Sequence, residues 1–396
     1  MEYPLYWTHE EIREHLQTSK TGLFLARRLE SIHESFNEIN AVLQSISYMK
    51  DILSFTFDDW IWALSIVWSR SFSVMIDHRK MKCLVPFGDL FNFDANLNEV
   101  VVEDLTKWNQ SEYGRDLMRF DVQSFTSTDG EYFVFTIRDD TDGRHTRYEA
   151  GIQLYAEYSV EVRPNFMTLL DYGFCIKDNP MDGVWITIED ILNSLKFADK
   201  FKTMEIKRES QEFMKNLIET MQFSQIFLTR SFASDFYLNS DGVSLRQQQR
   251  FVEPYAYTLF LMSLILNAQN SIKKFGDDLL NFRSLYPQIK SNQDIMAVVV
   301  QILNDKLKSR AVASRLVQNA WNTANNYVKK EMAAFETTLV QDLMIREQLD
   351  ASSEHISLKQ DCGLAIRIDE KWILLTAWTH LQRLRDMLLV FVEKPA

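Results

Sequence analysis

The sequence predicts an α+β protein with a β-rich centre between helical flanks, and the placement of its breakers is what predicts it. Seven of the 11 glycines fall between Gly88 and Gly183. Between Pro287 and Pro395 there is no proline, and Gly363 is the only glycine. Aromatic and β-branched runs, YFVFTI at Tyr132–Ile137 and IQLYAEY at Ile152–Tyr158, lie inside the glycine-rich stretch. Glycine and proline interrupt regular elements and mark turns, so short strands belong in the middle and long helices in the last hundred residues.

Taken in order, residues 1–80 read as helical. Thr8 followed by Glu11 is a capping-box pattern that opens a helix. Trp60, Ala63, Leu64 and Val67 recur at helical spacing. From Cys83 to about Ile188, turn clusters at Ser127–Gly130 and Asp139–Gly143 bound the aromatic runs. Helical periodicity returns after about Ile191, with Asn322–Leu349 a long helix or a helix pair. Leu364, Ile368 and Ile373 are expected to face a core, with Arg367, Asp369 and Glu370 outside. The resulting division is 1–82 helical, 83–190 β-rich and 191–396 helical.

Composition excludes several function classes. Hydrophobic residues make up 46% and aromatics 13%, ample for a packed core. The net charge of −12 argues against a nucleic acid or an anionic membrane as the main partner, since both require a cationic face. Cys83, Cys175 and Cys362 are scattered and imply neither a disulfide framework nor a zinc site, so reduced thiols and an intracellular setting are expected, the compartment open. The start, MEYPLYWTHEE, has no secretory pattern, and the longest apolar stretch, near Tyr255–Ala268, is too short to span a bilayer. There is no phosphate-cradling glycine loop, no paired-histidine metal spacing and no nucleophile elbow. His9 and His33 are expected to be solvated, and no metal site is expected.

Several segments in sequence order resemble the plant-type SET family, which includes the Rubisco large-subunit methyltransferases and the actin-histidine methyltransferase. Tyr3–Ser19, YPLYWTHEEIREHLQTS, is similar to the family's "LP…W…EEL…L.GT" segment. Phe55–Phe72, FTFDDWIWALSIVWSRSF, is similar to its "W-A-x-x-x-V-x-S-R-x-F" helix. Leu84–Asp94, LVPFGDLFNFD, is similar to "LVP-x-x-D-x-x-NH", and Ala150–Phe174 to "x-G-E-Q-x-x-I-x-YG-x-x-S-N-x-x-L-L-x-x-YGF". Ala333–Leu374 is like the "Y-x-TT-x-x-x-D" and "R-x-x-EK-x-I-L" helices of the C-terminal lobe.

The resemblance implies a partial β-rich SET core with an inserted helical segment at 1–82, the second half of the core at 83–190, and a helical substrate-binding-like lobe at 191–396. It implies S-adenosylmethionine as the cofactor if the chain is active, and none otherwise. Methyl transfer from a sulfonium to an amine needs alignment and a dry channel more than an acid or a base. On that basis Tyr158 matches the tyrosine beside the transferring methyl, and Tyr172 lines the substrate channel with Phe174. Ser69, Arg70, Asp89, Asn92 and Phe93 match cofactor-side positions. The same residues also have plain readings. Tyr158 and Tyr172 are aromatic core, Asp89 and Asn92 cap a turn, and Arg70 forms a buried ion pair with Asp89.

Departures from the family pattern weaken the catalytic expectation. Phe93 stands where the family has histidine, Ser159 where it has glycine and Ile152 where it has glutamate, and two extra residues separate Tyr158 from Asn165. The family's glycine-rich first segment would precede Tyr3. The leading expectation is therefore a degenerate SET-domain protein, a pseudoenzyme acting through protein–protein contact, with a partner on the C-terminal lobe. Two alternatives stand beside it: an active protein lysine or histidine N-methyltransferase completed by an N-terminal segment outside this chain, and a helical binding module.

Overall fold

Local chemistry sets the helix starts. Thr8 N–H donates to Glu11 Oε2 at 2.8 Å and Glu11 N–H donates to Thr8 Oγ1 at 3.1 Å, the reciprocal box that opens α1 (His9–Leu16). Thr56 and Asp59 form the same box ahead of α3 (Phe57–Arg70), and Thr338 and Gln341 ahead of α6 (Leu339–Ala351). The computed structural model describes residues 3–46, 56–76, 79–92, 122–126, 133–137, 151, 164–176, 179, 182–187, 225–229, 260, 263–264, 309–352 and 356–393.

Between the first two boxes runs α2 (Lys20–Ser45). Further helices among the described residues are α4 (Asn165–Tyr172), α5 (Arg310–Ala334) and α7 (Leu358–Glu393). The described strands form three antiparallel pairs. β1 (Ser71–Ile76) pairs with β2 (Arg79–Leu84) in the register Ser71↔Leu84. β3 (Val122–Thr126) pairs with β4 (Phe133–Ile137) as Val122↔Ile137. β5 (Gly183–Thr187) pairs with β6 (Gln225–Thr229) as Gly183↔Thr229.

Contacts divide the chain into two units. One comprises Met1–Leu16, Thr21–Asn179 and His355–Ala365, and the other Gln17–Lys20, Pro180–Glu354 and Ile366–Ala396. The first packs Leu16, Leu25, Ile61 and Leu169 into its core. In the second, Leu316, Val317, Ala320, Ala324, Tyr327 and Val328 recur at helical spacing along α5 and are all buried. α7 runs antiparallel to α5. Arg385 stacks over Trp321 at 4.4 Å, Trp378 Nε1 donates to Asn325 Oδ1 at 2.6 Å, and Lys371 lies over the Phe335 ring at 4.6 Å.

The structure corrects the sequence reading in several places. β1 and most of β2 fall inside the stretch expected to be helical, because Ser71–Val74 alternates small polar with apolar residues once the α3 periodicity ends, and β2 pairs with the whole of β1. β6 interrupts the region after Ile191 that was expected to be helical, with β5 as its partner. Asn322–Leu349 is a helix pair, broken at residues 335–338. Leu364 and Ile373 are buried as expected, but so are Arg367, Asp369 and Glu370, at 7%, 6% and 4% exposure.

Charge can be buried there because it is paired. Fully buried Asp342 accepts from Arg367 Nε and Nη2 at 3.3 Å, from Thr337 Oγ1 at 2.8 Å, and from Lys371. Lys371 also donates to Thr337 Oγ1 at 2.9 Å, and Glu370 accepts the Lys20 N–H at 2.8 Å. Burial alone would raise the Asp342 carboxyl, but the donors from Lys371, Arg367 and Thr337 outweigh it and hold it below the usual carboxylate range.

Removing one partner leaves uncompensated buried charge. Asp342→Asn is therefore expected to cost about 3–5 kcal/mol in urea denaturation, while the triple change Asp342→Leu, Arg367→Met, Lys371→Met recovers most of that loss. A loss below ~1 kcal/mol for Asp342→Asn would show that the cluster is not holding its charges in the dry interior.

A second expectation concerns pH. Burial pushes the His380 imidazole down to about 4, and the Arg383 charge acts the same way. The folded state therefore resists protonation, so the stability tied to this group is full above its ordinary value near 6.5 and is lost as pH falls toward 4. Taken from pH 7 to pH 5, the wild-type chain should lose roughly 1–2 kcal/mol more than His380→Leu. Equal losses in the two proteins would contradict it.

Candidate functional site

The candidate channel residues sit on one turn whose shape follows from Asn165, Gly173 and the segment between them. Asn165 opens α4, is 1% exposed, and uses its side-chain amide as a strand would use its backbone. Nδ2 donates to Ile176 O at 2.9 Å, and Oδ1 accepts the Ile176 N–H at 2.7 Å. This folds residues 173–176 back along the helix. The reversal needs a left-handed residue at its apex, and Gly173 takes φ +80° while its N–H caps α4 on Thr168 O (3.0 Å) and Leu169 O (2.9 Å). The Tyr172 and Phe174 rings then stack, with centroids 6.0 Å apart and planes 29° from parallel.

Further contacts hold this turn from outside. Tyr3 Oη donates toward Leu170 O (3.0 Å) and Asp171 O (3.1 Å), the carbonyls that α4 leaves open at its C-terminal end. Burial drives its phenol well above the ordinary range, so it stays a hydrogen-bond donor throughout the working pH range. Arg28 on α2 donates Nη1 and Nη2 to Asp171 Oδ1 at 3.3 and 3.2 Å, and its guanidinium lies 3.8 Å over the Trp68 ring of α3.

α3 ends in Trp68-Ser69-Arg70. Arg70 Nη1 donates to Asp89 O at 2.9 Å and meets Asp89 Oδ2 at 3.5 Å. The pair forms as the sequence suggested, but it is open rather than buried, with side chains 45% and 27% exposed. Asp89 is placed by an aromatic cluster. Phe135 of β4 meets Phe72 edge-on at 5.6 Å and Phe91 at 5.7 Å, and its ring presses against Gly88 where a β-carbon would stand. Phe87 pays the backbone cost of this turn. It sits at φ +67° although it is not glycine, and its side chain is 81% exposed. Ser69 donates to Ser65 O at 2.6 Å inside its own helix, and Asn92 is exposed.

Of the residues singled out from sequence, the structure thus brings Arg70 to Asp89 and Tyr172 to Phe174. Tyr158 and Phe93 lie outside the described residues. The side chains that sequence reasoning missed are Tyr3, Arg28, Trp68 and Asp171. Tyr3 and Trp68 stood inside quoted motifs, but Arg28 had no local signal, because its partner lies 143 positions away. Chemically, an open guanidinium next to a carboxylate complements both ends of a zwitterion such as an α-amino acid, with Asn92 able to add an amide. Among the described residues no cluster of His, Cys, Asp and Glu could hold a metal, and no helix is long and apolar enough to cross a membrane.

No family model matches the chain. It is 26% identical over 203 residues to the chloroplastic ribulose-1,5-bisphosphate carboxylase/oxygenase large-subunit N-methyltransferase of Nicotiana tabacum, covering 51% of this chain and 36% of that protein. It is 30% identical over 152 residues to Protein SET DOMAIN GROUP 40 of Arabidopsis thaliana, covering 35% of this chain and 27% of that one. The matches thus span about a third of the length of these curated relatives. The crystal structure of the SET domain of LSMT bound to lysine and AdoHcy aligns with 98% of this chain and 69% of its own, at 16% identity and a TM-score of 0.59, a likeness of fold. The fold is therefore that of the SET-domain structures. Within that class the chain is similar in sequence to plant SET-domain N-methyltransferases.

Gly173 offers a direct check on the turn. A β-carbon there would stand 2.7 Å from Tyr3 Cδ2 in a backbone conformation that L residues avoid. Gly173→Ala should cost about 1–3 kcal/mol. Adding Tyr3→Leu should relieve the contact but not the strain, so the double variant should be less destabilised than the two single costs added together. Strict additivity in thermal or urea unfolding would mean that ring and glycine do not press on each other.

Proposed function

We propose that the chain serves S-adenosylmethionine-dependent N-methylation of a protein side chain, with lysine as the favoured residue class. The carrying observation is the alignment of 98% of the chain with a SET structure that holds lysine and AdoHcy. S-adenosylmethionine, when bound, supplies an activated methyl on its sulfonium. Its methionine end is a zwitterion, and Arg70 and Asp89 would hold it, Arg70 through the cofactor's carboxylate and Asp89 through its ammonium. Tyr172 and Phe174 wall the side on which the substrate amine enters; their apolar faces disfavour the ammonium, which releases its proton to solvent on entry, and the neutral amine is then aligned away from water. Tyr158 contributes a positioning hydroxyl. No acid or base is required of the protein at the moment of transfer, in keeping with a site built from aromatic faces and one ion pair.

A non-catalytic reading keeps a specific support. Phe93 stands where the family pattern has histidine, which removes a polar side chain from the cofactor side, and Ser159 and Ile152 replace the pattern's glycine and glutamate. Under that reading the chain works by holding another protein on its C-terminal helices. Val340, Leu343 and Met344 suit that role, an exposed apolar stripe at i, i+3, i+4 on α6.

Calorimetry with S-adenosylmethionine separates the two. The methyltransferase reading expects micromolar binding, weakened about tenfold or more in Arg70→Met, because a charge-assisted hydrogen bond contributes ~1.5–3 kcal/mol. It expects Tyr158→Phe to lower turnover on a lysate protein substrate. The folding stability of Arg70→Met should change by less than ~1 kcal/mol, as for an exposed pair. No heat of binding, with a lysate partner captured by the wild-type chain and lost in Met344→Glu, would establish the binding-only reading instead.

A further inference from the structure

Arg28 occupies a position that neither the cofactor pair nor the channel aromatics explain. Its side chain reaches both elements of the site in the first unit, α3 and α4, which also pack against each other. On one side its guanidinium lies flat over Trp68, one residue before Ser69 and two before Arg70, at the end of α3. On the other it grips Asp171, the residue before Tyr172, at the end of α4. The guanidinium is mostly shielded, with 20% of the Arg28 side chain and 28% of that of Asp171 exposed. A planar cation between an aromatic face and a carboxylate is held in position and orientation together, which a flexible ammonium would not achieve.

Geometry makes this link transmissive. The turn at Gly173 rests on the α4 carbonyls, and Tyr3 already holds the carbonyls of Leu170 and Asp171. A further handle on the turn is the Asp171 side chain, and Arg28 holds it. A shift of the α3 end moves Trp68, the guanidinium follows the ring, and Asp171 follows the guanidinium. We propose that Arg28 is a positioning residue that couples the cofactor-side end of α3 to the Tyr172–Phe174 turn, so that occupation of the Arg70 side sets the channel aromatics. This deepens the methyltransferase reading and rests on it for its functional meaning, but the mechanical coupling stands on the contacts themselves.

Amide hydrogen exchange on the full chain tests it, with the Gly173 N–H as reporter and the α5 amides as a control for global opening. Trp68→Leu, made on the other helix, should speed exchange at Gly173 roughly threefold to tenfold, the range expected from losing a shielded cation–π contact. Trp68→Phe, which keeps a ring under the guanidinium, should restore most of the protection. In an Arg28→Met background, Gly173 should already exchange fast and Trp68→Leu should add nothing. Arg28→Lys keeps the charge, folds with least disturbance, and should behave like Arg28→Met at this amide. Saturating S-adenosylmethionine should slow Gly173 exchange in the wild-type chain and not in Arg28→Met. If calorimetry finds no binding, the methyltransferase reading falls and the Trp68–Arg28 cycle alone decides the coupling. Equal acceleration by Trp68→Leu with and without Arg28, none in either, or binding that leaves Gly173 unchanged, overturns the proposal.

Discussion

A single amide, Asn165, closes the turn on which the candidate site depends. By pairing both its donor and its acceptor with the backbone of Ile176, it folds the chain after α4 back on the helix. That reversal forces a left-handed apex, which Gly173 supplies. Everything else in the channel region is applied to this fixed turn: Tyr3 under its open carbonyls, Arg28 on its carboxylate, and the two aromatic rings it projects. The Asn165 side chain sits at 1% exposure, so its hydrogen bonds have little competition from water and gain their full weight.

The two units solve the problem of polar groups in opposite ways. In the second, the Asp342 carboxylate is fully buried, and three donors are gathered around it to keep it charged. A helix that is buried nearly all round, as α7 is between Cys362 and Ala377, leaves its charged side chains no solvent to reach, so they pair. In the first unit the Arg70–Asp89 pair is left open, at the end of a helix and on a short turn. An open pair contributes little to stability and retains hydrogen-bonding capacity, the combination expected where a ligand rather than a core is to be satisfied.

The chemistry proposed for this fold asks for placement. Transfer of a methyl group to an uncharged amine depends on the approach line and on excluding water, so rigid aromatic faces and held backbones matter more than shifted acid–base groups. The described site has that character. Its one strongly displaced ionisable group, Tyr3, is displaced by burial and serves as a donor to carbonyls. Phe87, strained and exposed beside Asp89, is the local cost of the turn that carries the acidic partner.

Much of this was legible along the chain, because it depends on neighbours in sequence. The capping boxes at Thr8, Thr56 and Thr338 act over three residues, and the helix pair at the C-terminal end follows from spacing and the scarcity of breakers. The family resemblance rests on ordered motifs, and the pairing of Arg70 with Asp89, 19 positions apart, follows from the plain reading of their charges, although the pair is open rather than buried. Contacts over longer range were not legible. Arg367, Asp369 and Glu370 read as an outer face because local spacing cannot show what distant residues bring: Asp342, 25 positions earlier, is the buried counter-charge of Arg367, and the Lys20 N–H donates to Glu370. Strand β1 hid behind the helical periodicity just before it, since pairing with β2 decides its state. Arg28 carried no signal at all, because a charged side chain on a helix surface has the same local pattern whether it meets water or is clasped between Trp68 and Asp171. Sequence by itself determined the local elements and the kinship. Tertiary structure decided which charges are buried and which aromatic faces meet, because burial is set by what the rest of the chain brings to each residue.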